Sequence, residues 1–371
     1  MPAKAVPVQD QRKAQGNASD LAFNWPVAGW LAFTLLLCTH FTLCYNAIPD
    51  YLNLDEYTRG AALTPYQFRS LPIVIFRMFA HMPFVAAVAR HAPAQFHNPY
   101  QVVQLGMVLC CIFAAVLAMC GTLTKLTGNK WFSRWFSLVM VYMAYFNLAP
   151  GWGLSYSFPY DVPSLMFFSL GVYLIVSNRL WLYYLMFPIA VFNRETTCFL
   201  TIFFVIWNLG QVRDEARTIS RRNLFSLGGH VLAQAILWLA VKATLAHLFA
   251  ANQSADPSVN GHFFSIRLIF NLHELIKPQQ WPVYLSCCGF LLPALWLERR
   301  WIQCPPIARA CAIILPLWFA GMMMVGVVPE IRIFSELSVF VVPALGLIAY
   351  NRFRAGSDEA SDGPDWQEHA L

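Results

Sequence analysis

The sequence predicts an all-α, polytopic membrane protein with about ten transmembrane helices and an interfacial helix in the first outer loop. Three observations carry this. Of 371 residues, 58% are hydrophobic and only 12% charged, with a mean hydropathy of +0.51, whereas soluble domains carry roughly twice that charged fraction. The apolar runs are long and continuous, as helices crossing a hydrocarbon core of roughly 30 Å require, rather than alternating as barrel strands do. The lysines and arginines also sort between alternate loops.

Residues 1–26 read as a polar cytoplasmic tail carrying Lys4, Arg12 and Lys13. No Ala-x-Ala-like cleavage site follows them, so the first apolar run is expected to be retained rather than removed as a signal peptide. Helices are expected near 27–47, 101–124, 132–150, 162–177, 180–192, 197–210, 225–250, 281–297, 306–328 and 336–351. The fifth and sixth are short, and Arg194–Glu195 between them leaves open a re-entrant pair or one broken span.

With the N-terminus in the cytoplasm, sixteen Lys and Arg fall in inside segments and eight in outside ones, with Lys242 left inside a helix. The positive-inside rule therefore favours ten spans with both ends cytoplasmic. Residues 27–351 are expected to form a single transmembrane domain, with an outer loop of about 48–100 as its largest loop, and 352–371 a polar cytoplasmic tail. No internal repeat or linker divides it.

The charge of +6 is modest and scattered, which argues against nucleic acid as a partner. The ten cysteines lie mostly in apolar runs, without CxxC or Cys/His zinc spacing, and read as small buried residues. No cofactor and no metal are expected.

Chemistry gathers in four stretches assigned to the outer face. The first is PDYLNLDEYTRG, placing Asp50, Asp55 and Glu56 just past the first helix, where a carboxylate can meet both a water-soluble hydroxyl and a lipid-borne group. These acids also suit loop hydration and helix capping. Next, Arg69 precedes an irregularly amphipathic stretch, with Pro72 near its start, that reads as a helix lying in the interface. Arg69 suits a phosphate or a carboxylate such as Asp55 equally.

The second stretch is GWGLSYSFPYDVP. Asp161 stands at a helix start, where it complements the helix dipole, and Trp152, Tyr156 and Tyr160 offer flat faces for a sugar. In FNRETTCF, Arg194 and Glu195 interrupt apolar sequence, at a depth where charges pair or line a wet cavity. The fourth, VVPEIRIFSELSVFVVP, carries Glu330, Arg332 and Glu336, which share one face only if the segment bends at Pro329. Acids and arginines on one side suggest an outward cavity in which a carboxylate base works beside cations that hold an anionic leaving group.

On these residues the chain resembles the GT-C superfamily of polytopic glycosyltransferases, which take sugars from polyprenyl-phosphate carriers at the extracytoplasmic face. The likeness rests on the architecture and on PDYLNLDEY followed by an interfacial helix. It covers roughly 27–210 best, with a looser likeness at PEIRIFSEL. The resemblance implies a catalytic base at Asp50 or Asp55, with Asp55 favoured because Glu56 and the Arg69 stretch follow it. It implies an inverting transfer to an acceptor hydroxyl on a lipid or glycan, with Arg69, Arg194 or Arg332 steadying the polyprenyl phosphate as it leaves. Asp161, Tyr160, Glu195, Glu330 and Glu336 complete the expected substrate-binding set. The expected location is a bacterial inner (plasma) membrane. The larger members carry a soluble C-terminal domain after the last helix, and the polar stretch 352–371 is not expected to form one.

Two other classes fit the same charges. A transporter or flippase would bind and move a lipid-linked substrate, but calls for ionisable groups near mid-membrane, where only His230 and Lys242 occur, on the seventh helix. A non-catalytic scaffold subunit of a cell-envelope assembly would tolerate loss of the acids.

Overall fold

The structure is a computed structural model and describes residues 25–150, 156–216, 221–255 and 267–361. The N-terminal tail, Trp152 and the end of the C-terminal tail lie outside the described residues. Among the described residues every regular element is helical. Only two isolated bridges, Asp50–Ser157 and Thr64–Ser254, are not.

The chain enters on α1 (Trp25–Asn46), followed by α2 (Leu54–Arg59), α3 (Leu71–Phe79) and α4 (Pro83–His91). The longest helix, α5 (Pro99–Thr127), is fixed at both ends. Asn98 caps it by accepting from the Tyr100 amide, and Gly128, at φ 70°, takes the left-handed turn that closes it. Then come α6 (Lys130–Phe136), α7 (Val139–Leu148), α8 (Asp161–Val176), α9 (Leu180–Asn193), α10 (Cys198–Ala216) and α11 (Arg221–Leu248). The last are α12 (Leu268–Ile276), α13 (Trp281–Leu285), α14 (Leu292–Leu297), α15 (Pro305–Val325) and α16 (Ser338–Ser361).

Among the described residues five helices are long and apolar enough to cross a membrane: Pro26–Asn46, Pro99–Thr127, Arg222–Leu248, Pro305–Val325 and Ile331–Ala355. The other five expected spans are present as shorter or interrupted segments. Residues 132–150 divide into α6 and α7, while α8 and α9 are apolar but short. The 281–297 stretch breaks at Cys288, Gly289 and Phe290, all at positive φ (52°, 66° and 61°). The expected interfacial helix is two helices, α3 and α4, bent by 89° at Ala80–Met82. Val74, Met78, Phe84 and Val88 are exposed along it. The last helix runs on to Ser361, past its expected end at 351.

Packing separates the loops into two groups. At one end Asp50 meets Ser157, Thr64 meets Ser254 and Arg69 meets Glu195. At the other, Trp30 donates to the Arg134 carbonyl, Phe132 stacks near Tyr350, and Asn351 and Arg352 reach Trp301 and Glu298. These are the groupings the charge pattern assigns to opposite faces. The span ending in α16 forms the centre, with 89% of its apolar window buried, whereas α11 is only 11% buried and offers its side chains to the surroundings. Close approaches are made at glycines: Gly346 on α16 faces Leu123 of α5, and Gly171 of α8 faces Leu200 of α10.

Candidate functional site

Three chain breaks at the same end bring charge into the interior. The start of α8 supplies Tyr160 and Asp161. The break between α9 and α10 supplies Arg194 and Glu195, and a 3₁₀ segment at Ile331–Leu337, directly before α16, supplies Arg332 and Glu336. Arg194 is extended, at φ −159° and ψ 134°, so α9 ends there. Asn193 ties the break to α8 by donating to the Tyr160 carbonyl at 3.0 Å, and Thr197 caps it by donating to the Arg194 carbonyl at 2.7 Å.

The Arg194 guanidinium lies 3.2 Å from Asp161 and 2.7 Å from Glu336, and Arg332 lies 3.2 Å from the other oxygen of Asp161 and 2.5 Å from Glu330. Asp161 and Glu336 are fully buried. Glu336 also accepts from Ser164 at 2.8 Å and Ser335 at 3.1 Å. Fully desolvated carboxylates survive only with such pairing. The bend expected at Pro329 takes the form of the 3₁₀ turn. It lets Glu330 and Arg332 pair directly while Glu336 faces Arg194.

Arg69 joins from the first outer loop. Its guanidinium stands 3.6 Å from Glu195 and 4.3 Å above the Tyr160 ring, while Arg332 stands 3.7 Å above Phe158. Burial works against the Arg69 charge, but Tyr160, Glu195 and Asp161 outweigh it and raise its pKa. Burial likewise works against the Glu195 carboxylate, yet Arg69, followed by Lys242, holds it at about 2. The Nε atoms of Arg69, Arg194 and Arg332 are buried without a hydrogen-bond partner among the described residues, leaving three cationic N–H groups unspent. No known family model, curated protein or solved structure matches this chain.

The acids of the first outer loop divide. Asp55 and Glu56 are exposed in the first turn of α2, where the Asn53 side chain accepts from both backbone amides. Arg69 pairs with Glu195 rather than Asp55. Asp50 is half-buried. It accepts from the Ser157 hydroxyl and, at 3.4 Å each, from the amides of Gln101 and Gln104. Ser157 directly precedes Phe158, the ring beneath Arg332, so Asp50 and the arginine cluster are two residues' width apart along one strand of chain.

Tyr160 is buried beneath Arg69 and offers no free face. Tyr156 stays half-exposed against Tyr51 (46% exposed), which with Tyr66 stacks on Phe158. Sequence reasoning missed the partners of Asp50. Their trace was there, as two glutamines three residues apart, on one face at the head of an otherwise apolar helix. It also missed Ser164, one turn beyond Asp161. Among the described residues no three His, Cys, Asp or Glu side chains group as a metal site requires.

Proposed function

We propose that this chain is an integral membrane glycosyltransferase of the GT-C kind, moving a sugar from a polyprenyl-phosphate donor to a lipid or glycan hydroxyl at the outer face. In this reading all ten apolar segments cross or partly cross a bacterial inner membrane, and both ends of the chain are cytoplasmic. The observation that carries it is the path from the half-buried Asp50 through Ser157 and Phe158 to Arg332, which shares Asp161 with Arg194. Asp50 takes the acceptor proton, the hydroxyl oxygen attacks the anomeric carbon, and the polyprenyl phosphate leaves. The spare N–H groups of Arg69, Arg194 and Arg332 steady its charge. The hydrogen bonds from Ser157, Gln101 and Gln104 orient Asp50, whereas Asp55 and Glu56 have no such support, so Asp50 is favoured over Asp55 as the base.

A second reading, a non-catalytic scaffold, is favoured by the self-paired Asp161–Arg194–Glu336 group, which serves as a structural clamp without any ligand.

The test is sugar release from radiolabelled polyprenyl-phosphate donors by the purified protein. Wild type turns over, Asp55→Asn keeps most of that turnover, and a folded Asp50→Asn loses it. Loss in Asp55→Asn alone would move the base to Asp55, and no turnover with any donor would favour the scaffold.

A further inference from the structure

At the end of the molecule opposite the arginine cluster, a cleft of about 410 Å³ opens between the first turns of α1 and the short α6. Trp30 forms its floor and donates from Nε1 to the Arg134 carbonyl at 2.8 Å, fixing the two helices together. Phe33 and Trp135, with ring centroids 6.1 Å apart, make one wall, and Trp131 and Arg134 the other. Trp131 is 67% exposed and Trp135 44%. A Cβ added at Gly29 would meet nothing within 4 Å, so this glycine leaves the space open.

Basic side chains gather on the hairpin that lines the cleft, while Glu298, at the same end of the molecule, is taken up by Arg352. Arg134 makes no ion pair with any described residue, and Lys125 and Lys130 are exposed beside it on the same hairpin. The sequence has no Asp or Glu between Glu56 and Asp161. Tryptophans commonly mark a membrane boundary as flat anchors. Here they enclose a concave space, at the level where the span of α1 begins and beside a guanidinium with no ion pair among the described residues. An apolar cleft of this size takes part of an acyl chain, and the basic rim calls for a negative headgroup at its mouth.

We propose that this cleft binds one anionic phospholipid, its phosphate held by Arg134 with Lys130 nearby and the start of an acyl chain laid along Gly29 against the wall made by Phe33 and Trp135. The site is separate from the arginine cluster and does not depend on the function proposed above.

The experiment uses the full-length protein in detergent, incubated with phosphatidylglycerol or phosphatidylcholine and weighed by native mass spectrometry. Wild type is expected to retain one phosphatidylglycerol, preferred about tenfold over phosphatidylcholine. Gly29→Leu puts a side chain into the cleft from a position whose Cβ has open space and is expected to lose the lipid, while Gly29→Ala keeps it. Arg134→Gln is expected to bind both lipids alike, and this carries the test alone should Gly29→Leu fail to fold. Glycerol 3-phosphate at equal concentration is expected not to displace the lipid. Equal retention by Gly29→Leu, no preference in wild type, or displacement by glycerol 3-phosphate would each overturn the proposal.

Discussion

Arg194 holds Glu336 at 2.7 Å in the interior, both side chains almost wholly removed from solvent, and so joins the α9–α10 break to the turn before α16. Neither residue sits within a regular α-helix. The pair is where two interruptions of apolar sequence satisfy each other, which explains why both breaks are tolerated at that depth.

Arg194→Met is expected to cost about 3–5 kcal/mol, because it leaves Glu336 charged and buried with only hydroxyl donors. Asp161 retains Arg332. The double variant Arg194→Met/Glu336→Met should therefore recover much of the loss. Thermal unfolding in detergent measures this, and strictly additive losses would show that the two side chains are not coupled.

Gln104 is buried with its amide on Asp50, so Gln104→Leu keeps the volume and removes one orienting bond. At 3.4 Å the bond is long, so its contribution sits at the low end for a charged acceptor, about 1.5 kcal/mol. On the proposed function, turnover drops by about tenfold while donor KM changes little. A change confined to KM would mean that Gln104 serves donor binding instead.

Much of this arrangement was legible in the sequence, and the parts that were not have identifiable causes. Hydropathy located each apolar segment because burial in lipid or protein demands the same residues. It did not reveal where α6 gives way to α7, at Ser137 and Leu138, which keep right-handed backbone, or where the chain breaks at Cys288–Phe290, which depends on left-handed backbone and on tertiary contacts such as Asn147 accepting from the Cys288 amide. Charge sidedness put Asp161, Arg194, Arg332 and Glu336 on one face, but in a larger group that also held Asp55 and Glu56, which the structure leaves exposed on α2. The pairing among those four follows from how α8, α9 and α16 meet, which spacing along the chain does not encode. Neighbouring acids, which favour Asp55, are visible in sequence, whereas the hydrogen bonds from α5 that orient Asp50 are not.

Two glycines are expected to behave oppositely when replaced by alanine. Gly289 has φ 66°, and its added Cβ would run into the Tyr142 ring. The left-handed backbone alone costs about 1–2 kcal/mol, so Gly289→Ala should clearly lower the unfolding temperature. Gly29→Ala meets open space within a helix and should be neutral or stabilising by up to about 1 kcal/mol. Equal effects would mean that the chain does not turn at Gly289 as described.

The Arg69–Glu195 pair gives a pH signature. Glu195 lies in the turn between α9 and α10, outside the five long spans, and Arg69 with Lys242 outweighs burial to hold its carboxyl at about 2, below the usual 4.5. A carboxyl whose pKa is depressed by folding contributes stability that is complete above its ordinary value and is lost as pH falls towards the folded one. The unfolding-temperature gap between wild type and Glu195→Gln should therefore stay constant from about pH 8 to pH 5 and narrow between about 4.5 and 2. The side chain keeps 31% of its exposure, so solvent screening makes the gap small, and added salt should shrink it further. A gap that does not change below pH 4.5 would mean that Glu195 titrates as an ordinary exposed carboxyl and that Arg69 spends its charge elsewhere.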